Sequence, residues 1–266
     1  MQLSIYQVDA FAEAAFQGNP AAVVPLEAWL PDVVLQQIAQ ENNLAETAYF
    51  VPSGEGYHLR WFTPTTEVRL CGHATLASAH VLFGHLGFAS SEIRFQTLSG
   101  TLRVWKSGSS LQMDFPADEP GVSDLSAAFF TENLGISVLD ARRGKDDYLV
   151  RISSASELET LQPDLGFIRK LHGARGLIVT APGDGTDIAS RCFYPATGVD
   201  EDAVTGSAHT LLAPYWASLL GKKTISARQG GNRRGFLTCS VNGDRVELSG
   251  KAVTYLSGTI YFSNAL

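Results

Sequence analysis

Cysteine is scarce in this chain and scattered. Three occur among 266 residues, at Cys71, Cys192 and Cys239. The number is odd, the spacings are long and no C-x-x-C occurs, so neither a disulfide framework nor a zinc knuckle follows; a reducing, cytoplasmic setting is expected. Long apolar runs are missing too: none approaches the roughly 18–20 residues of a membrane span. The start, Met1-Gln2-Leu3-Ser4-Ile5-Tyr6, lacks the basic head and apolar stretch of a signal peptide and reads as a strand. Basic runs are short. Lys and Arg number 20 against 27 Asp and Glu, a net charge of −7, and the densest basic spots, Arg142-Arg143 and Arg233-Arg234, are isolated pairs. Such a chain is poorly suited to a polyphosphate backbone, so neither nucleic acid nor membrane is expected as a partner.

Several catalytic signatures are also absent. The sequence has no G-x-x-x-x-G-K-[ST], no G-x-G-x-x-G between strand and helix, no H-E-x-x-H and no G-x-S-x-G, which removes the usual support for nucleotide, dinucleotide, zinc-hydrolase and serine-hydrolase readings. What is present is ordinary globular material, 45% apolar and 10% aromatic, enough to bury a sizeable core in two domains or one large one.

The order of elements repeats. Alternation predicts a strand over residues 3–11, a turn at Gly18-Asn19-Pro20 and strands at 21–24, 46–51 and 57–62, with a surface helix over 31–40. A run from Gly72 to Gly87, apolar nearly all round and rich in small residues, predicts an enclosed helix. The second half follows suit, with strands at 177–180 and 190–194 and an enclosed helix from Gly206 to Gly221, in which Pro214 should kink the helix or break its ladder. Arg60-Trp61-Phe62-Thr63-Pro64 matches Arg191-Cys192-Phe193-Tyr194-Pro195 at an offset of 131. Gly72, Ala74, Ala79, Leu86 and Gly87 match Gly206, Ala208, Ala213, Leu220 and Gly221 at 134. An ancient duplication accounts for these offsets; chance matching between two Ala-rich helices is the competing account. The expected halves are 1–118 and 122–266, joined through the Pro- and Gly-bearing stretch 118–123.

Each half puts a glycine at the start of its enclosed helix, in Cys71-Gly72-His73-Ala74 and Thr205-Gly206-Ser207-Ala208. The first N–H groups of a helix have no internal partner and carry its positive dipole end, so two such ends sharing a cleft would hold a small carboxylate. His73 and Ser207 occupy matched positions after the glycines. Asp200 and Glu201 read as helix caps, and His80, His85 and His209 as packed or hydrogen-bonded residues. Glu46 matches Gly176 at an offset of 130. An acid in one half alone suits a single-base site, although the pattern also allows a solvated strand end. Cys71 and His73, two apart along a helix start, are not expected to face each other.

The ordered set Phe16-Gln17-Gly18-Asn19-Pro20, Asn43-Leu44-Ala45-Glu46-Thr47, Phe62-Thr63-Pro64 with Glu67, Cys71-Gly72-His73-Ala74-Thr75 and Asp200 to His209 resembles the PhzF-like family of phenazine-biosynthesis isomerases and their relatives. The stretch Arg228-Gln229-Gly230 and the segment from Gly243 to Gly250 fit as well. The resemblance implies an α+β diaminopimelate epimerase-like fold, two similar halves each with a curved, mostly antiparallel sheet around a central helix. It also implies an active site in the cleft between the halves, no cofactor, no metal, and a homodimer. In diaminopimelate epimerases two cysteines at the paired helix starts act as acid and base; here Thr205 stands opposite Cys71, which reads as a small packing residue. The resemblance implies further that Glu46 moves a proton between carbons of a small carboxylate substrate. His73, Asp202 and Ser207 would bind and polarise that substrate, with Asn19, Gly72 and Gly206 on its binding side. An amino-acid racemase or epimerase, needing a second base for which Asp202 is the candidate, and a non-catalytic small-molecule binder are the alternatives.

Overall fold

The computed structural model describes residues Met1–Ser263. The chain divides into two compact units, one comprising Met1–Asp114 and the chain from Ser249, the other Phe115–Leu248. The division falls within the strand Ser110–Pro116, a few residues before the stretch that composition suggested as a linker. That stretch belongs to the second unit, where Gly121-Val122 pairs with Arg142-Arg143. Residues 249–263, which the sequence assigns to the second half, group with the first unit.

In the first unit the strand Gln2–Ala10 pairs antiparallel with Asn19–Pro25, which pairs parallel with Glu46–Ser53. Glu46–Ser53 turns back antiparallel to Gly56–Phe62. The latter carries the short antiparallel strand Glu67–Val68 and, beyond it, a parallel pairing with Glu92–Thr97, whose other edge pairs antiparallel with Gly100–Ser107. A parallel pairing needs a crossover, and helices supply both: Asp32–Asn42 before Glu46–Ser53, and Gly72–Gly84 before Glu92–Thr97.

The second unit repeats the same series. Val138–Arg143 pairs antiparallel with Asp147–Ile152, which runs parallel to Gly176–Pro182 and then antiparallel to Ile188–Tyr194. Ile188–Tyr194 takes the short strand Val199–Asp202 antiparallel and Thr224–Gln229 parallel, and Thr224–Gln229 pairs with Gly235–Asn242. The crossovers are two short helices, Ala155–Thr160 and Leu165–Arg169, and the long helix Gly206–Leu220. The series of pairings from Gln2–Ala10 to Gly100–Ser107 thus has its counterpart from Val138–Arg143 to Gly235–Asn242, in line with the repeated residues.

Composition explains why the two long crossover helices are enclosed. Gly72–Gly84 buries nine residues, mostly Ala, Ser and Thr with Leu76, Val81 and Leu82, and Gly206–Leu220 buries ten, including Leu211, Leu212 and Trp216. The second helix runs unbroken through Pro214. One ladder bond is missing there, because proline has no N–H for the Thr210 carbonyl four residues back. The backbone N–H of Asp118 donates to that carbonyl at 3.0 Å instead, so the expected break is confined to a single bond and satisfied from outside. The first helix ends at Gly84, three residues earlier than expected, and Gly87 takes a left-handed turn at φ 65°.

Candidate active site

The helix starts differ in how their free N–H groups are treated. Three peripheral helices are capped by side chains: Ser126 accepts from Phe129, Ser154 from Glu157 and Asp164 from Gly166. The two central helices are preceded by Cys71 and Thr205 in extended conformation, and neither side chain caps its helix. The surface helix Asp32–Asn42 also lacks a side-chain cap, but an acid, Asp32, sits in its first turn. Asp200 and Glu201, read as caps from the sequence, do not cap the second central helix. Glu201 grips Arg191 in two hydrogen bonds of 2.8 and 2.7 Å and accepts from the Gly231 N–H. Neither central helix is thus capped by the side chain of the residue that precedes it.

In the first unit three of the candidate residues meet. Glu46 is the first residue of its strand, in register with Ala21, and His73 the second of its helix. Glu46 Oε2 stands 3.1 Å from His73 Nε2. The other ring nitrogen, Nδ1, lies 3.2 Å from the Asn19 amide. Asn19 is placed by a tight approach: Phe16 adopts φ 73° and Gly18 φ 65°, and a Cβ on Gly18 would lie 2.0 Å from the Ala10 carbonyl oxygen, so only glycine fits before it. The Asp9 carboxylate accepts the Phe16 N–H at 2.8 Å and fixes this loop. His73 and Asn19 are buried, whereas Glu46 and Gly72 keep partial exposure.

Cys71 does face His73, contrary to expectation: its Sγ is 3.6 Å from Nδ1. Spacing along a helix does not govern the pair, because Cys71 is the extended residue before the helix. Burial above all pushes its thiol up to about 11, so it is neutral at pH 7 and unsuited to nucleophilic work. For His73, burial opposes the charged ring, while the Cys71 sulfur and the Glu46 carboxylate favour it; the balance holds the imidazole well above the ordinary histidine value. With the thiol neutral, the carboxylate is the charged partner. Glu46, Cys71 and His73 offer ligand atoms within 4.8 Å of one another, a donor set a soft divalent metal could use. Yet Glu46 meets Nε2 and Cys71 meets Nδ1. A single ion takes only one of these diverging nitrogens, so the arrangement fits a proton pair better than a three-ligand metal site.

In the second unit Gly176 opens the strand that matches Glu46–Ser53, in register with Asp147. A Cβ there would lie 2.1 Å from the Phe193 carbonyl oxygen and 2.5 Å from the Tyr194 ring, so no side chain can stand where Glu46 stands in the first unit. Asp202 ends the strand Val199–Asp202, and its carboxylate accepts the Thr205 hydroxyl at 2.5 Å. Gln229 is fully buried and ties this corner together. Its amide donates to the Asp202 carbonyl and to Thr205 Oγ1 at 2.9 and 3.0 Å and accepts the Thr205 N–H at 2.9 Å. Gly206 is buried and Ser207 partly exposed. The Ser207 hydroxyl is held by Arg175, whose Nη2 lies 3.0 Å away. Arg175 and Asp147 were not singled out in the sequence. Their one signal there is position, beside Gly176 and its register partner in the repeated frame.

The family of phenazine biosynthesis-like proteins, PhzC-PhzF, matches residues 8–258. An uncharacterized isomerase of Pseudomonas aeruginosa is 53% identical over 261 residues, covering 98% of this chain and 100% of the relative. Phenazine biosynthesis-like domain-containing protein 2 of Mus musculus is 43% identical over 290 residues, covering 98% and 99%. Among solved structures, a PhzF-family phenazine biosynthesis protein from Enterococcus faecalis superposes with a TM-score of 0.95 at 43% identity, covering 98% of this chain and 100% of that one. A hydroxyproline epimerase from Agrobacterium vitis, 10% identical with a TM-score of 0.59 and covering 97% and 92%, shares the fold alone. With its duplicated strand–helix series and its diaminopimelate epimerase-like fold, the chain belongs to the phenazine biosynthesis-like PhzC-PhzF family of isomerases.

Proposed function

We propose that this protein is a cofactor-independent isomerase that moves a proton between carbons of a small carboxylate substrate, with Glu46 as the proton carrier. The observation that carries the reading is the Glu46–His73 contact of 3.1 Å at an uncapped helix start, together with the steric exclusion of any side chain at Gly176. One carboxylate therefore serves both as base and, once protonated, as acid. His73, held by Glu46 and Asn19, polarises the substrate. In the second unit Asp202 and Ser207 bind and polarise it, and the N–H groups after Gly72 and Gly206 receive its anionic oxygens. General acid–base help of this kind is worth about 10²–10⁴-fold in rate. We read the protein as cytoplasmic, supported by three free buried thiols, and as a homodimer, which the family resemblance implies. Among the described residues no helix is long and apolar enough to cross a membrane.

The test is an NMR assay in D₂O with a dihydro-hydroxyanthranilate and a panel of small amino and hydroxy acids. Wild type should isomerise one of them or take up deuterium at carbon, and Glu46→Gln should slow this by about 10²-fold or more while still binding ligand. Retained turnover in Glu46→Gln removes the assigned role. Deuterium uptake with inversion at a single stereocentre that also depends on Asp202 favours a racemase. Binding without exchange for any ligand favours a non-catalytic role.

A further inference from the structure

Ser207 matches His73, and the structure shows what holds each. His73 is held by Glu46, the first residue of its strand. Ser207 is held by Arg175, the residue immediately before the matching strand Gly176–Pro182. The partner is an acid in one unit and a guanidinium in the other. Arg175 is itself held by several partners, although a third of its side chain is exposed. Its backbone N–H donates to the Asp146 carbonyl at 2.7 Å, its Nε to Asp147 Oδ1 at 3.0 Å, and its Nη2 to Asp147 Oδ2. The guanidinium lies 4.5 Å from the centre of the Tyr194 ring, the same ring that a side chain at Gly176 would strike. Asp147 is buried, its side chain 5% exposed, so this fork is held in one geometry.

A guanidinium has five N–H donors, no acceptor, and keeps its proton at all working pH values. In the contact with Arg175 the Ser207 oxygen can therefore only accept. Its own hydrogen must turn elsewhere, and among the described residues no acceptor takes it. Accepting from a charged donor also strengthens the hydroxyl as a donor, because hydrogen bonds in series polarise one another. Ser207 is partly exposed and stands at the uncapped helix start.

We propose that Arg175, anchored by Asp147, is a positioning residue for the reaction: it orients the Ser207 hydroxyl so that its hydrogen points at an anionic oxygen of the substrate. The inference rests on the carboxylate reading above. It assigns Arg175 no contact with substrate, so its effect passes entirely through Ser207.

The test is a double-mutant cycle read by calorimetric binding of 2-hydroxybenzoate, an unreactive planar carboxylate. Wild type is compared with Ser207→Ala, Arg175→Gln, the double variant and Arg175→Lys. Ser207→Ala and Arg175→Gln should each weaken binding about tenfold, and the double variant should be no weaker than Ser207→Ala alone. Arg175→Lys, still a cation that can only donate, should recover part of the loss when Ser207 is present and none in the Ser207→Ala background, whereas a merely structural role would recover equally in both. Should Arg175→Gln fail to fold because Asp147 is left unpaired, Asp147→Asn with Arg175→Gln removes the buried charge together with its partner and enters the cycle instead. Additive losses, or an Arg175→Gln that binds like wild type, overturn the role of Arg175 while leaving the carboxylate reading intact. A wild type that does not bind the probe is a failure of the carboxylate reading, and the inference falls with it.

Discussion

His73 faces a carboxylate at Nε2 and an amide at Nδ1. A charged ring presents N–H at both nitrogens and calls for the amide oxygen of Asn19, whereas a neutral ring protonated at Nε2 calls for its NH₂. Burial opposes the charged form, the Cys71 sulfur and the partly exposed Glu46 carboxylate favour it, and the balance raises the folded-state value above 6.5. The sign of the linkage follows. Stabilisation from a raised histidine is fully present below its unfolded value and is lost as pH rises through the folded one. In a histidine-selective NMR titration His73 should therefore titrate later than an ordinary histidine, and Glu46→Gln should move it downward; an unmoved His73 would show that the carboxylate is not its charged partner. Glu46 stood out in the sequence because a duplicated frame makes an unmatched acid conspicuous, and His73 because it matches Ser207 after the paired glycines; that the two meet could not be read there. Arg175 was not, since an isolated arginine between Ala174 and Gly176 carries no motif and acquires meaning only when folding brings Ser207 to it.

The repeated Arg-x-Phe is a clamp that both units build. Arg60 holds Glu67 through Nε and Nη2 at 2.7 and 2.8 Å, and Arg191 holds Glu201 in the same way at 2.8 and 2.7 Å. Each guanidinium also lies 5.1 Å from the phenylalanine ring two residues on, Phe62 or Phe193. The clamp pins a short strand, Glu67–Val68 or Val199–Asp202, onto its longer neighbour, and in the second unit that strand delivers Asp202. The two copies are not equally demanding. Arg191 is the more buried and also donates to the carbonyls of Leu158 and Leu161 at 3.1 and 2.6 Å, whereas the third partner of Arg60 is the exposed Asp32. Arg191→Met should thus cost about 3 kcal/mol in urea unfolding, and Arg60→Met clearly less; equal losses would mean that the buried carbonyls contribute nothing. The matched Arg and Phe were visible in the sequence, but the glutamates that complete the clamp sit seven and ten residues further on, so no fixed spacing announced them. Pro214 was visible too. Its consequence was not, because the Asp118 N–H that takes up the freed Thr210 carbonyl lies far away in sequence.

The chain closes its first unit with its own far end. Ala252–Tyr261 runs antiparallel to Gln2–Ala10, from Gln2 against Tyr261 to Ala10 against Ala252, with one bulge between Gln7 and Val8. The Met1 amino group donates to the Phe262 carbonyl at 2.6 Å, and the Phe262 N–H returns to the Met1 carbonyl at 3.2 Å. His80 and His85, on and just after the first central helix, both reach the Thr254 hydroxyl of this strand, at 2.9 and 2.7 Å. Composition and turn signals mark where a chain changes character, not which edge a late strand will complete, and for that reason the return of Ala252–Tyr261 could not be read from the sequence. A fragment ending at residue 118 would leave Gln2–Ala10 with an unpaired edge and the helix without its Thr254 contacts. Expressed alone, residues 1–118 should show no cooperative thermal transition. The same fragment fused through a flexible linker to residues 249–266 should unfold cooperatively, with the amides of Gln2–Ala10 protected from hydrogen exchange. Cooperative unfolding of 1–118 alone would mean that the first half holds its core without the returning strand, and that the strand is an addition to a unit already complete.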